Sequence, residues 1–386
     1  MLYYLELTYN REAVNAVRIC YLANASSVHI HRWVKYFVER GHEIHVISFE
    51  NAHIEGTTVH VLKLPVLVKN ATFPLKMASI YRIKSLIKRI KPDILHGHYA
   101  INYGLFGARC NFNPFIITAW GSDVLIVPEA RFISMIKAYI AKYALRKADL
   151  VTADSISSMR AVVGFGIDEK KVKLIIHGVD LRVFRPVENR EEFKKDLRLP
   201  ESHQVVISSR SLEPIYDVVT LIRAVPHVIE KCPNTCFLVV GDGTLRNQLE
   251  ELACKLGVTE YVRFVGSISN EEMPKSLGSS DIYVSTSLSD TRSVSLLEAM
   301  ACALPVVVTD LEGNKECVED GVNGFLFPKG DFRMLAEKIV YLLRNKDIRR
   351  KFGVVNRRIV EKEADYEKEM SKMEKLYKNL IEAYKL

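Results

Sequence analysis

Residues 285–310 read STSLSDTRSVSLLEAMACALPVVVTD, and this stretch decides the fold class. A β-branched run closes near Ser285 and a polar loop follows it. A helical pattern opens near Ser295, and Pro305 begins a second β-branched run. A strand, a crossover helix and a second strand make one βαβ unit with parallel pairing. The first turn of the helix has N–H groups without intrahelical acceptors, at the positive end of the helix dipole, so it reads as an anion site. A diphosphate suits it. Asp290 and Glu298 flank the site.

The same alternation extends through the chain. In the first half, strands are expected at Arg18–Asn24, Glu43–Phe49, Asp93–His98, Phe115–Ala119, Leu150–Ala153 and Val172–Ile176. In the second half they are expected at Val205–Ser209, Phe237–Gly241, Val262–Gly266, Ile282–Ser285 and Pro305–Thr309. Ile30–Arg40 carries Trp33, Phe37 and Val38 at helical spacing, and Gly41 caps its end. At 386 residues the chain is too long for one ordinary core. We therefore expect two α/β Rossmann-like domains, 1–186 and 187–386, with the boundary near Pro186 in the charged stretch Arg185–His203. In open parallel sheets, ligands bind outside the C-terminal ends of the strands. The tail from Asp331 reads as helices, with Met370, Met373, Leu376, Tyr377 and Leu380 forming one apolar stripe.

Composition narrows the classes. Hydrophobic residues are 48% and charged residues 26%, as in folded globular proteins. No apolar run approaches the ~20 residues of a membrane-spanning helix. The apolar patch Met1–Leu7 lacks a basic flank and a cleavage site, so we expect no secretory signal and a first strand beginning near Val17. Seven scattered cysteines fit reduced thiols in the cytoplasm, without a disulfide framework or structural zinc. Residues 1–186 hold 25 Lys+Arg against 14 Asp+Glu, while the remainder is slightly acidic. The first half is thus expected to meet something anionic, such as a lipid headgroup or a phosphorylated acceptor. No helix-turn-helix, zinc finger or RNP-like motif accompanies this charge, so nucleic acid is not the expected partner.

With Asp290 and Glu298 eight positions apart and Ala299-Met300-Ala301 running on to Pro305-Val306-Val307, the segment resembles the retaining family-4 glycosyltransferases of the GT-B fold. Their signature is E-x7-E followed by A-M-A-x-G-x-P-V-V. The resemblance places Asp290 beside a transferred sugar and Glu298 on the donor ribose. A plain structural alternative for Glu298 is a capping box with Ser295. Asp290 is one methylene shorter than the usual Glu, and Thr291-Arg292-Ser293 replaces the usual Gly-Phe-Gly. Ser209–Tyr216 resembles the family's G-R-x-x-x-x-K-G, whose Arg and Lys neutralise the donor diphosphate. Arg210 matches the Arg, and Tyr216 occupies the Lys position. Arg292 is a candidate substitute for the lost charge. Gly241-Asp242-Gly243 resembles the family's turn near the nucleotide. With Ser293, Val294 and Ser295 at the helix start, these residues make the expected donor site. Glu316, in the segment before Asp320–Gly324, is a further candidate.

The resemblance is looser in the first half. Asn24–His29 stands where relatives hold phosphate or acceptor against the first helix, making Ser26, Ser27 and His29 candidates; either serine could equally be an N-cap. Thr118–Asp123 resembles T-x-H-G-x-D, with Trp120 in place of a sugar-contacting His. An indole there can stack on a sugar face or simply line the wall. His98, Trp120 and Asp123 are the expected acceptor side. His96 and His98 point to the same side of a strand, but no carboxylates accompany them and the resemblance implies no metal or organic cofactor. Ile175–Asp180 with Phe184 and Pro186 resembles the family's P-N-G-V-D-x-x-x-F-x-P before the linker. Lys76–Lys91 reads as an amphipathic helix, packed on the sheet or docked on anionic lipid.

The implied activity is transfer of a hexosyl unit, with retention, from a nucleotide-sugar to a glycan or lipid-linked acceptor in surface polysaccharide or glycolipid assembly. It would take place in the cytoplasm, at the inner face of the membrane if the basic half docks there. Two alternatives stand beside it: a nucleotide-sugar epimerase of the same fold, and a degenerate subunit that binds a sugar nucleotide without transferring it.

Overall fold

The computed structural model describes residues 16–62, 79–125, 131–187, 190–269 and 271–385, with the side chains of 131–133 left aside. Met1–Leu7, Lys76 and Met77 lie outside the described residues. The chain forms two compact units. The first runs to Ala153, resumes over Met159–Lys173 and includes Lys372–Leu386; the second holds Asp154–Ser158 and Leu174–Ser371.

The first unit is built on a seven-stranded sheet of β1 (Arg18–Leu22), β2 (Glu43–Ser48), β3 (Thr57–Val61), β4 (Ile94–His98), β5 (Phe115–Ala119), β6 (Leu150–Ala153) and β7 (Val172–Leu174), ordered β3-β2-β1-β4-β5-β6-β7. The central strands read as continuous apolar runs because helices cover both faces. β1 is flanked in parallel by β2 and β4, so the strand order reverses there and leaves a crevice at the C-terminal ends of β1 and β4. Gly41, at φ 79°, ends helix Val28–Glu39 as expected: its N–H meets the Val38 carbonyl at 2.9 Å.

The second unit repeats the plan with six strands. They are β8 (Gln204–Ser209), β9 (Thr235–Val240), β10 (Val262–Gly266), β11 (Ile282–Ser285), β12 (Val306–Thr309) and β13 (Gly324–Phe327), ordered β10-β9-β8-β11-β12-β13. All five pairings are parallel. Its crevice lies where β8 and β11 meet. Two apolar clusters cover the two faces of this sheet, one around Phe237, Leu221 and Ile339 and the other around Tyr283, Leu297 and Met300.

Three expectations change. β3 and β13, both short, are absent from the expected strand list. The units do not part at Pro186: Ile176, Val179 and Phe184 pack in the second core, and the Val179 N–H bonds the Ala364 carbonyl at 2.8 Å. The end of helix Tyr366–Ala383 belongs to the first unit, where the buried Tyr377 hydroxyl meets His96 Nδ1 at 2.5 Å and Tyr21 at 3.2 Å.

Candidate active site

In the second unit, two loops leave adjacent strand ends and converge on one guanidinium. Arg210 follows β8, and the loop after β11 carries Asp290 and leads into helix Val294–Ala301. Arg210 Nη2 donates to Asp290 Oδ2 at 2.6 Å and Nη1 to Ser295 Oγ at 2.7 Å. The Arg210 guanidinium carbon lies over the Tyr216 ring, 4.3 Å from its centroid, a cation–π contact. Tyr283 donates its hydroxyl to Ser295 Oγ at 2.9 Å. The pair is well covered, with side-chain exposures of 9% for Arg210 and 13% for Asp290. Burial pushes the Asp290 carboxyl above the usual carboxylate range, against the pull of Arg210. Burial also opposes the Arg210 charge, but Asp290 and the two tyrosines outweigh it, so Arg210 holds its proton more firmly than usual. Its Nε is buried and meets no acceptor among the described residues.

The helix start differs from expectation in one respect. Ser293 is the N-cap and accepts from the Leu296 N–H at 3.3 Å, so Val294 is the first helical residue. The capping box of Ser295 with Glu298 is therefore not formed: Ser295 turns to Arg210 instead, and Glu298 sits half-buried one turn further along.

The Gly241–Gly243 turn is joined to the Arg210 loop. The Leu212 N–H donates to the Asp242 carbonyl at 3.0 Å, and Glu213 accepts from the Thr244 N–H at 3.0 Å and its hydroxyl at 2.6 Å. A side chain at Gly241, whose φ is 131°, would collide with the Arg210 carbonyl, and one at Gly243 would stand 2.5 Å from the Leu212 carbonyl. These glycines are required by close backbone approach. The Asp242 side chain is exposed and caps its own turn, accepting from Gly243 at 2.8 Å.

Arg292, the candidate substitute for the missing lysine, keeps its buried Nε without an acceptor among the described residues. It is buried, and its Nη2 donates to Glu363 at 2.7 Å, tying the loop to helix Lys346–Glu363. The Glu316 carboxylate accepts from the Ile156 and Ser157 N–H groups at 2.9 and 2.8 Å, capping a helix start. Asp154 was missed by sequence reading. It accepts from Thr291 Oγ1 at 2.9 Å and Ser158 Oγ at 2.8 Å, and burial pushes its carboxyl upward. Its only sequence signal was a serine-rich turn directly after a strand.

The first unit's crevice holds a pocket of about 350 Å³. Ser27 and Asn24 come from the turn after β1, Glu50 from beyond β2, His98 from the end of β4, and Trp120 from beyond β5. Tyr99, Asn102 and Tyr103 complete the wall from a π-helical turn, Tyr99–Gly104. Tyr99 has φ 79°, a costly conformation for an aromatic residue, and such outliers and π-turns gather at functional sites. Asp123 explains how it is held. It is fully buried and accepts from the Ala100 N–H at 2.6 Å and the Trp120 N–H at 2.9 Å. Asp123 thus positions both walls through its two carboxylate oxygens. His29 stands edge-on to Trp120 at 5.2 Å, whereas Ser26 is exposed and outside the pocket lining. Ser27 sits at the N-cap position without a side-chain cap bond. His96 lies behind His98, stacked at 4.3 Å, and its second ring nitrogen meets Thr118 at 2.7 Å. Burial pushes its pKa down to about 3, so it stays neutral.

Two doubly wound units, each with a crevice where its strand order reverses, are the plan of the GT-B fold. Residues 189–358 match the glycosyl transferases group 1, and residues 18–155 match the glycosyl transferase 4-like family. The chain belongs to the group 1 glycosyltransferases, of the family-4-like kind, and is a glycosyltransferase. It is 24% identical to N-acetyl-alpha-D-glucosaminyl L-malate synthase of Bacillus anthracis, over 90% of this chain and 92% of that protein. It is also 24% identical to UDP-Gal:alpha-D-GlcNAc-diphosphoundecaprenol alpha-1,3-galactosyltransferase of Escherichia coli, over 75% and 76% of the two chains. Among solved structures, HepE of Anabaena in complex with UDP-glucose superposes with a TM-score of 0.79 at 22% identity, covering 94% of this chain and all of that one.

Proposed function

We propose that the protein moves a hexosyl unit from a nucleotide-sugar to an acceptor hydroxyl with retention of configuration, in surface polysaccharide or glycolipid assembly. The observation that carries this reading is the Arg210 fork, held at the start of helix Val294–Ala301 by Asp290 and Ser295. Two of its donor groups are already positioned, and its buried Nε–H has no protein acceptor among the described residues. Such a cation beside free helix amides stabilises the charge that grows on a departing diphosphate.

In this reading Arg210 and the amides of Val294 and Ser295 hold the diphosphate, with Ser293 shaping the turn. Glu298 binds the ribose. Asp290 lies at the transferred sugar and keeps Arg210 charged and oriented until the donor arrives. The Gly241–Gly243 turn approaches the nucleotide through its backbone, and Tyr216 orders the guanidinium. Ser27, His98 and Trp120, with Tyr99, Asn102 and Tyr103, receive the acceptor. The donor's own phosphate assists deprotonation of the attacking hydroxyl. UDP-sugars are the first donors to try, given the ligand of HepE, and a lipid-linked acceptor fits the Escherichia coli relative. The basic first unit then works against the inner face of a membrane; no helix among the described residues is long and apolar enough to cross one.

Thermal unfolding against UDP-, GDP- and ADP-sugars tests the donor site. A donor at a hundred times its dissociation constant stabilises the native state by about 2.7 kcal/mol. We expect this with one nucleotide class and not in Arg210→Ala. No response to any donor would remove the reading and leave a subunit that has lost its ligand. Conversion of the sugar without any acceptor would mark an epimerase instead.

A further inference from the structure

Three helices lie side by side over the first sheet and share its core: Ile80–Ile90, Leu105–Cys110 and Arg131–Lys147. With Lys91, which caps the first, their sequences contain 11 lysines and arginines and no aspartate or glutamate. Contacts tie them into one layer. Ile83, Phe106 and Ala144, one from each helix, lie in the same buried cluster, and Arg109 of the middle helix stands 5.9 Å from the Tyr143 ring of the third.

Charge alone would fit any polyanion; the apolar residues narrow the choice. The third helix buries Ala141, Ala144 and Leu145 in the core, yet its preceding turns turn apolar side chains outward. Met135 is 65% exposed, Ile136 44% and Tyr139 74%, around the exposed Lys137. On the first helix Tyr81 is 80% exposed beside Arg82. Water-exposed apolar side chains in a cluster mark an interaction site, whereas scattered ones do not. Aliphatic and aromatic tips set among lysines match an interface where hydrocarbon lies just beneath negative charge.

We infer that this layer docks the protein on a membrane carrying anionic lipids, with Met135, Ile136 and Tyr139 inserting and the surrounding lysines and arginines meeting headgroups. The inference rests on the membrane-facing part of the function proposed above and names its surface. It moves the emphasis from the helix ending at Lys91, which sequence singled out, to Arg131–Lys147. A second copy of this chain is a poor occupant because two such faces would repel. An acidic polymer would satisfy the lysines but leave the apolar triad in water.

The test is co-sedimentation of the full chain with phosphatidylcholine vesicles, with and without phosphatidylglycerol, beside capture on dextran sulfate. Wild type should bind the phosphatidylglycerol vesicles and release them as salt rises. Met135→Ser/Ile136→Ser/Tyr139→Ser should weaken that binding about tenfold or more. Lys137→Glu should weaken it about fivefold or more, since each basic residue at such a surface is worth about 1 kcal/mol. Thermal midpoints and the nucleotide-sugar response should stay as in wild type for both variants. Unaltered vesicle binding by the triple variant overturns the inference, as does wild type that ignores anionic vesicles. Capture on dextran sulfate without vesicle binding would also overturn it, assigning the face to a polymer. Loss of the donor response in wild type would count against the transferase reading alone, because vesicle binding is read separately.

Discussion

The two sheets reverse strand order at equivalent places, β1 with β4 and β8 with β11, yet the crevices hold opposite chemistry. In the second unit the first loop supplies a buried cation, and the second loop supplies its carboxylate and a helix start. In the first unit the same two positions supply Asn24 and Ser27 on one side and His98 with a strained tyrosine on the other. The topology fixes where a ligand sits, and the first residues past each strand fix what it is. A diphosphate needs a fork and amides. An acceptor ring needs flat aromatic walls with a few hydroxyl and amide groups.

The contrast is broken most severely at Arg210. Arg210→Ala should lower transfer roughly 10²–10³-fold, the cost of one well-placed donor to developing charge. It should also destabilise the second unit by about 3–5 kcal/mol, because Asp290 is left buried and unpaired. Arg210→Ala/Asp290→Ala should recover much of the stability and none of the activity. Denaturant melts and initial rates on the same samples separate the two effects. Activity returning with stability would mean that the arginine is only structural.

In the first unit the matching perturbation is pH. His96 has its pKa depressed to about 3, well below its unfolded value near 6.5. The unfolded chain therefore takes up a proton that the folded one refuses, so stability is full above about pH 6.5 and falls as pH drops toward 3. His42 adds to the slope with the same sign: burial depresses it, while Glu374, whose own pKa is lowered, stands 3.4 Å away. His96→Gln should flatten the dependence between pH 6.5 and 4. An unchanged slope would show that this histidine does not titrate on unfolding.

A smaller effect is expected at the pocket wall. Asp123→Asn keeps one acceptor oxygen, sets an NH2 donor against the other backbone N–H, and should cost about 1.5–3 kcal/mol. If Asp123 works by holding Tyr99 and Trp120, KM for the acceptor should rise while KM for the donor stays put. Equal rises in both would make the residue merely structural.

How far the sequence revealed this depends on the kind of interaction. Strand positions were legible because buried parallel strands are written as apolar runs. The edge strand Thr57–Val61 escaped because none of its five residues is buried, so it makes no apolar run. Arg210, Asp290, Ser295 and the glycine turn were legible because a local motif places each just past a strand end. What could not be read were pairings set by tertiary approach. Arg292 was readable by charge and position, but only the fold shows its Nη2 given to Glu363, 71 residues away. Asp123 matched an acceptor motif, but only the fold shows both oxygens turned to backbone amides. The exposed face of Arg131–Lys147 also escaped, since apolar residues in a helix look like core until the core is seen.

Tyr216 offers the mildest change and the sharpest question about the charged crevice. Where the resemblance expects a lysine, this chain has a ring lying on Arg210. The ring gives up one positive charge near the diphosphate and gains a cation–π contact of roughly 0.5–2 kcal/mol that fixes the guanidinium plane. Tyr216→Lys reverses both terms. A lysine that reaches the phosphates adds a charge-assisted hydrogen bond of about 1.5–3 kcal/mol, and its charge beside Arg210 returns part of that as repulsion. The net expectation is a donor affinity a few-fold tighter, with kcat unchanged or slightly lower because Arg210 is held less firmly. Isothermal titration with the responding nucleotide-sugar, paired with initial rates, measures both halves. Tighter binding with lower kcat would mean that the aromatic ring orders the arginine for the chemical step. A loss of binding would mean that the ring contacts the donor itself.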